Sequence, residues 1–172
     1  MSKHGEALGK LLARIAELDP DSGCFLFGSV AAGTEKPDSD IDLQVIVKTG
    51  TQIDGVALES DEGYIKIDEL DGVLLDLVFW PVSAIEQRVA HDEAAILYLL
   101  TRGKIIRDPR GIAKYYQVVL ERHFERNDAV RTAWENQMAL YGKYKSDPTF
   151  PLEFPKWNKF ALGLDDRLRR RT

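Results

Sequence analysis

The sequence predicts an α+β fold, a small β-sheet flanked by helices and followed by a helical C-terminal part. Three observations carry this reading. The first 18 residues place apolar side chains at helical spacing, the stretch from 23 to 80 breaks into short apolar or alternating runs bounded by glycine and proline, and helical spacing returns after residue 83.

Leu8, Leu11, Leu12, Ile15 and Leu18 recur at three- and four-residue steps, which makes one apolar face of a helix over residues 5–18, ended by Asp19-Pro20-Asp21. Cys24-Phe25-Leu26-Phe27, enclosed by Gly23 and Gly28, reads as a buried strand. Gly28-Ser29 breaks it, and residues 30–39 read as a short helical turn and a loop. Residues 40–47 form the next strand. Alternation there puts Ile41, Leu43, Val45 and Val47 on a core face, and Asp40, Asp42 and Gln44 on a face that meets water or ligand.

A loop over 48–62 leads into a hairpin, Tyr64 to Asp68 and Val73 to Trp80, turned by Asp71-Gly72 and closed by Pro81. Residues 83–101 read as a helix packed through Ala94, Ala95, Leu97, Tyr98 and Leu99. Lys104 to Arg107 reads as a last short strand, and Asp108-Pro109-Arg110-Gly111 as a turn. From Ile112 to Lys145 the spacing gives two helices broken near Asn127-Asp128. Tyr116, Val119, Leu120 and Phe124 make one packing face, and Trp134, Met138 and Tyr141 the next. Pro148, Pro151 and Pro155 exclude one continuous helix beyond them. The expected organisation is a domain over residues 1–110 with a helical extension, 111–172, packed on it.

With 172 residues the chain is long enough to bury a core without disulfides or structural metals, and too short for a second full domain. No apolar run approaches the roughly 20 residues needed to cross a bilayer. The N-terminus lacks the apolar core and cleavage site of a signal peptide, so a cytoplasmic location and no membrane partner are expected. Cys24 is the only cysteine, which excludes an intrachain disulfide and a cysteine-based zinc site; its apolar neighbours make it a buried, inert thiol. A net charge of −5 and a pI near 5.3 oppose a stable nucleic-acid complex, which needs a basic surface. The basic tail, Arg167 and Arg169 to Arg171, reads as a solvated terminus, and His4, His91 and His123 are too scattered to form a catalytic set.

Chemistry concentrates in the carboxylates. Asp40 and Asp42, at i and i+2 of one strand, project from the same face roughly 6 to 7 Å apart, near enough for their oxygens to converge on one cation. Asp76 interrupts the apolar run Val73 to Phe79, where an ionised side chain is costly unless paired, metal-bound or facing a cleft. Were the two strands neighbours, the three aspartates would form an oxygen-rich cluster suited to Mg²⁺ or Mn²⁺ rather than Zn²⁺. Asp68, Glu69 and Asp71 lie in the same hairpin and read as turn residues. Gly28-Ser29 stands where a strand gives way to a short helix, so its backbone N–H groups and the Ser29 hydroxyl are placed to hold phosphate oxygens.

Gly28-Ser29, then Asp40-Ile41-Asp42-Leu43, then Asp76 resembles the motif of the DNA polymerase β-like nucleotidyltransferase superfamily, most strongly over residues 25–47 and more loosely over 5–110. The resemblance implies a nucleotidyltransferase fold with a small mixed sheet. It implies two Mg²⁺ ions held by Asp40 and Asp42, with Asp76 on the catalytic ion and serving as general base, and Gly28 and Ser29 binding a nucleoside triphosphate. Many bacterial members carry an arginine soon after Gly-Ser, where this chain has Ala32. The implied activity is transfer of NMP, AMP from ATP first among the candidates, to a hydroxyl of an unidentified small-molecule acceptor. The C-terminal helices would wall the acceptor pocket, with Glu121, Glu125, Asp128 and Glu135 attracting a cation. Two alternatives stand beside it: adenylylation of a protein partner, and a nucleotide-binding regulatory module with little turnover. A homo-oligomer is compatible with either.

Overall fold

The N-terminal helical spacing becomes α1 (Lys3–Leu18), capped by the Ser2 hydroxyl, which accepts the Gly5 N–H at 3.2 Å. Its buried side chains are His4, Ala7, Leu11 and Ile15, flanked by partly buried Leu8 and Leu12, whereas Leu18 is 46% exposed and leaves the predicted face. At the C-terminal end the Asp19 N–H reaches the Ile15 carbonyl. The Asp19 carboxylate is buried and accepts from the Asp21 and Lys48 backbone N–H groups, tying the helix exit to the sheet. The computed structural model describes residues 2–59, 63–91 and 97–129, and beyond them 131, 132, 135, 136 and 139.

A five-stranded mixed sheet follows: β1 (Gly23–Leu26), β2 (Ile41–Val47), β5 (Tyr64–Leu70), β6 (Val73–Pro81) and β7 (Lys104–Arg107), in the spatial order β5-β6-β2-β1-β7. The β2–β6 pair is parallel and the other three pairs are antiparallel. β5 and β6 meet at Asp71-Gly72, with φ values of 54° and 73°, the two positive-φ residues a tight two-residue hairpin needs. Between β2 and β5, where the sequence reading had only a loop, β3 (Gln52–Ile53) and β4 (Val56–Ala57) form a second small hairpin. Its turn is Asp54-Gly55, with φ of 50° and 79°. The same dipeptide that announced the larger hairpin was present here, between strands too short to show alternation.

The sheet is covered on both faces. Ala7, Leu11 and Ile15 of α1 pack against Cys24, Leu43, Val45, Leu75 and Leu77. On the opposite face Phe25, Ile46 and Trp80 are buried under α3 (Val82–Ala90), α4 (Tyr98–Arg102) and α5 (Ile112–Arg126), through Ala84, Ile85, Leu100, Tyr116 and Leu120. This corrects the expectation that the second face of β2 meets only water or ligand. Polar at Asp42, it becomes core within four residues, with Gln44 buried and Ile46 wholly so.

The helix expected over 83–101 is also interrupted. His91 ends α3, with its N–H and its Nδ1 both bonded to the Gln87 carbonyl, and α4 starts only at Tyr98; Ala94 and Ala95 lie outside the described residues. α5 starts after Asp108, whose carboxylate accepts from the Ala113 and Lys114 N–H groups at 2.9 Å each, and ends at Asn127, where a break was expected. Trp134, Met138, Tyr141, the proline-containing segment and the basic tail lie outside the described residues. Cys24 is fully buried, and burial pushes its thiol up to about 12, so it stays protonated and inert.

Candidate active site

Parallel pairing of β2 with β6 sets Asp42 directly beside Asp76, with Ile41 beside Leu75 and Leu43 beside Leu77. The apolar partners on both strands point to the α1 face and are buried, so the two aspartates share the other face. Adjacent strands are about 4.8 Å apart, which makes this pair near neighbours. Asp40 stands just before β2, two residues from Asp42 and on its side of the sheet. All three are partly buried at the open end of the face that α3 to α5 cover elsewhere.

Electrostatics ties the set together. The Asp76 carboxyl is held above its usual range, first by burial and then by the negative charge of Asp40. Asp76 and Asp40 therefore share one field, of a sign that a divalent cation neutralises. Among the described residues no three His, Cys, Asp or Glu side chains are gathered into a group ready to hold a metal ion. The backbone sets Asp42 beside Asp76, with Asp40 two residues from Asp42. The donor set, all carboxylate oxygen, fits a hard cation such as Mg²⁺ or Mn²⁺.

Gly28 joins the Gly-Ser turn to this group. Its φ of +66° is in the left-handed region, and a Cβ built there would collide with Asp42 Oδ2, so both the backbone twist and the close approach require glycine. The Phe27 N–H donates to the Asp42 carbonyl at 3.0 Å, fixing the turn against β2. From that turn starts α2 (Gly28–Ala32), whose first N–H groups receive no side-chain cap; Ser29 is partly buried, and its carbonyl accepts the Thr34 N–H at 3.0 Å. The structure thus places Gly28, Asp42 and Asp76 in one row across three neighbouring segments. Sequence reasoning had missed the Gly28–Asp42 contact, whose only signal was glycine immediately before the short helix.

The other candidates separate from the site. Asp68 and Glu69 belong to β5 rather than to a turn. Asp68 pairs with Leu75, which puts it on the α1 face, and it bonds Lys66. Asp71 is the turn residue and bridges to Lys10 at 2.6 Å. His4 Nε2 is hydrogen-bonded to the Ser39 carbonyl at 2.9 Å, a structural link from α1 to the residue before Asp40. His123 meets Phe124 edge-on. A cavity of about 320 Å³ between α4 and α5 is lined by Arg102, Glu121, Glu125 and Arg131 among others, and shares no residue with the aspartate group.

Two strand-borne aspartates, Asp42 and Asp76, with Asp40 just before β2 and a Gly-Ser turn beside them, make a site of the kind that nucleotidyl transfer uses. A family model described as "Nucleotidyltransferase domain" matches residues 8–100, more than half of the chain, and the chain belongs to that family. The family transfers nucleoside monophosphates from nucleoside triphosphates and generally uses divalent metal ions. No curated protein matches this chain. Among solved structures it is similar to a nucleotidyltransferase-like protein from Exiguobacterium sibiricum 255-15, at 17% identity and a TM-score of 0.44, over 67% of this chain and 38% of that one. The chain thus spans well under half the length of that protein. Among the described residues no helix is long and apolar enough to cross a membrane.

Proposed function

We propose that this nucleotidyltransferase moves AMP from ATP to a hydroxyl of a small molecule, releasing pyrophosphate, with Asp40, Asp42 and Asp76 as its metal-binding and catalytic residues. The observation that carries the reading is the parallel register of Asp42 with Asp76, with Asp40 two residues behind and electrostatically coupled to Asp76. Two Mg²⁺ ions, with Mn²⁺ as a substitute, would be held by the three carboxylates and would supply charge neutralisation at the triphosphate and activation of the attacking hydroxyl.

The residues of the chain do the rest. Gly28 lets the backbone approach closely, and Ser29 with the uncapped N–H groups of α2 binds phosphate oxygens. The acceptor oxygen attacks the α-phosphorus, the bond from that phosphorus to the departing pyrophosphate breaks, and the hydroxyl proton passes to a carboxylate oxygen of Asp76. A carboxylate whose affinity for protons is raised by burial suits that role. Residues 1–110 are assigned to the catalytic unit and 111–172 to the extension that walls the acceptor. Glu121 and Glu125 line a separate cavity together with Arg102 and Arg131, and Asp128 is engaged by Arg131 at 2.7 Å, so a cationic acceptor is not part of this reading.

The test is pyrophosphate release from each ribonucleoside triphosphate with Mg²⁺ or Mn²⁺ and a pool of aminoglycosides and related hydroxyl compounds, with Asp40→Asn/Asp42→Asn as control. Release that needs an acceptor and both aspartates is expected. Labelling of protein instead, detected as a mass increase of one AMP, would replace the small-molecule acceptor with a polypeptide. Release unaffected by the double substitution would overturn the site.

A further inference from the structure

We propose that Gln44 is a nucleotide-binding residue whose side-chain NH₂, aimed by the buried indole of Trp80, donates a hydrogen bond to an oxygen of the nucleoside triphosphate. Gln44 follows Asp42 by two residues on β2, so its side chain rises from the same face, one step further in. It is 9% exposed, unusual for a glutamine and costly unless its amide is satisfied. Trp80 is 1% exposed, and its Nε1 donates to Gln44 Oε1 at 3.0 Å.

That bond decides which way the amide points. An indole N–H can only donate, so Gln44 must offer its oxygen, and the NH₂ faces away from Trp80 whatever the ambiguity of amide orientation elsewhere. Among the described residues the Gln44 side chain has no hydrogen-bond partner besides Trp80. Nor is its nitrogen one of the polar atoms there that are sealed from solvent without a partner. A nine-tenths-buried side chain therefore keeps one unbonded donor in reach of solvent. Further along the face Ile46 and Trp80 are closed under the helices, so access comes from the aspartate end.

The choice of the nucleotide over the acceptor follows from the strand that carries the residue, and rests on the site reading above. Gln44 is on β2 with Asp40 and Asp42, and it pairs with Phe25 of β1, the strand that runs into Gly28-Ser29. Its neighbour on β6 is the apolar Val78, two residues beyond Asp76, so the polar groups nearest in its own segment and in the one before it are Asp42 and the Gly-Ser turn. Gln44 thus stands behind the residues assigned to the triphosphate. A neutral amide there adds a donor without adding a charge to the carboxylate field.

The probe is the α,β-methylene analogue of ATP with Mg²⁺, its binding followed by calorimetry, which needs neither acceptor nor turnover. Gln44→Met/Trp80→Phe removes both buried partners together and leaves no orphaned group or added charge, while Gln44→Glu keeps the acceptor for Trp80 and replaces the donor with a carboxylate oxygen that repels the triphosphate. Both are expected to bind the analogue at least about tenfold more weakly, the loss of one hydrogen bond whose partner stays desolvated. Trp80→Phe alone leaves the donor present but unaimed and is expected to cost about threefold. In the wild type, the ¹⁵N-edited side-chain amide signal of Gln44 is expected to shift on binding. Binding within twofold of wild type in both Gln44 variants, or a stationary amide signal, overturns the proposal and leaves the transfer reading intact. Weakened binding without transfer to any acceptor supports Gln44 and sinks the transfer reading; absence of analogue binding in the wild type overturns both.

Discussion

The two faces of the sheet are built to different ends. Along β2 and β6 the α1 face is apolar, with Leu43, Val45, Leu75, Leu77 and Phe79 all buried in one core with Ala7, Leu11 and Ile15. The opposite face changes character within a few residues along the same two strands, from Asp42 and Asp76 to Ile46 and Trp80. The first supplies cohesion. The second spends part of that cohesion holding carboxylates together that would otherwise repel, so stability and chemistry are separable by face even though they alternate residue by residue.

Substitutions on the two faces should therefore fail in different ways. The largest effect is expected from Asp42→Asn, which should lower pyrophosphate release on the order of 10³-fold with little change in melting temperature, measured by single-turnover assay and calorimetry. Ile15→Ala, in the α1 core, should cost about 3 kcal/mol of stability, read by chemical denaturation, while the rate per folded molecule stays the same. A rate loss in Ile15→Ala at full folding would break the division.

Gly28→Ala crosses the division and sharpens it. It forces an alanine into a positive φ and a Cβ into the Asp42 carboxylate, so about 1 to 2 kcal/mol of stability and at least about tenfold in rate should fall together. The smallest and most diagnostic effect belongs to Asp76→Asn with a chelator present. Burial and Asp40 raise the folded-state affinity of Asp76 for a proton above that of the unfolded chain, whose value is 3.8. The ionised carboxylate is therefore a penalty that is absent below the unfolded value and present once pH has risen through the folded one. Asparagine removes it, so the variant should melt about 2 °C higher at pH 7 and lose that advantage toward about pH 3.5. An equal gain at both pH values would show that repulsion is not the cause.

Much of this was legible in the sequence because it depends on local rules. The alternation over residues 40–47 gave the strand and its α1-side core face, though not the burial of Gln44 and Ile46 on the other. Asp71-Gly72 gave the hairpin, and the spacing from Gly28-Ser29 to Asp40, Asp42 and Asp76 gave the family to which the chain belongs. What stayed illegible depends on partners far away in the chain. Gln44 looks like any polar residue facing out until Trp80, 36 residues later, proves to bond it under a helical cover. The order β5-β6-β2-β1-β7, with its single parallel pair, cannot be read from alternation, which is the same for either strand direction. The β3–β4 hairpin was missed for the opposite reason: its Asp-Gly turn is local, but two-residue strands carry no periodicity to confirm it.

The parallel β2–β6 pair also sets a clock. Asp42 and Asp76 are 34 residues apart in sequence (76 − 42), and no short turn can join two parallel neighbours. At synthesis rates of about 5 to 20 residues per second, a growing chain carries Asp42 for roughly 2 to 7 seconds before Asp76 is made. During that interval the nascent chain contains Gly28, Ser29, Asp40 and Asp42 but not the strand that carries Asp76. A half-made chain therefore lacks the aspartate group altogether, and gains it only when β6 joins β2 at the centre of the sheet.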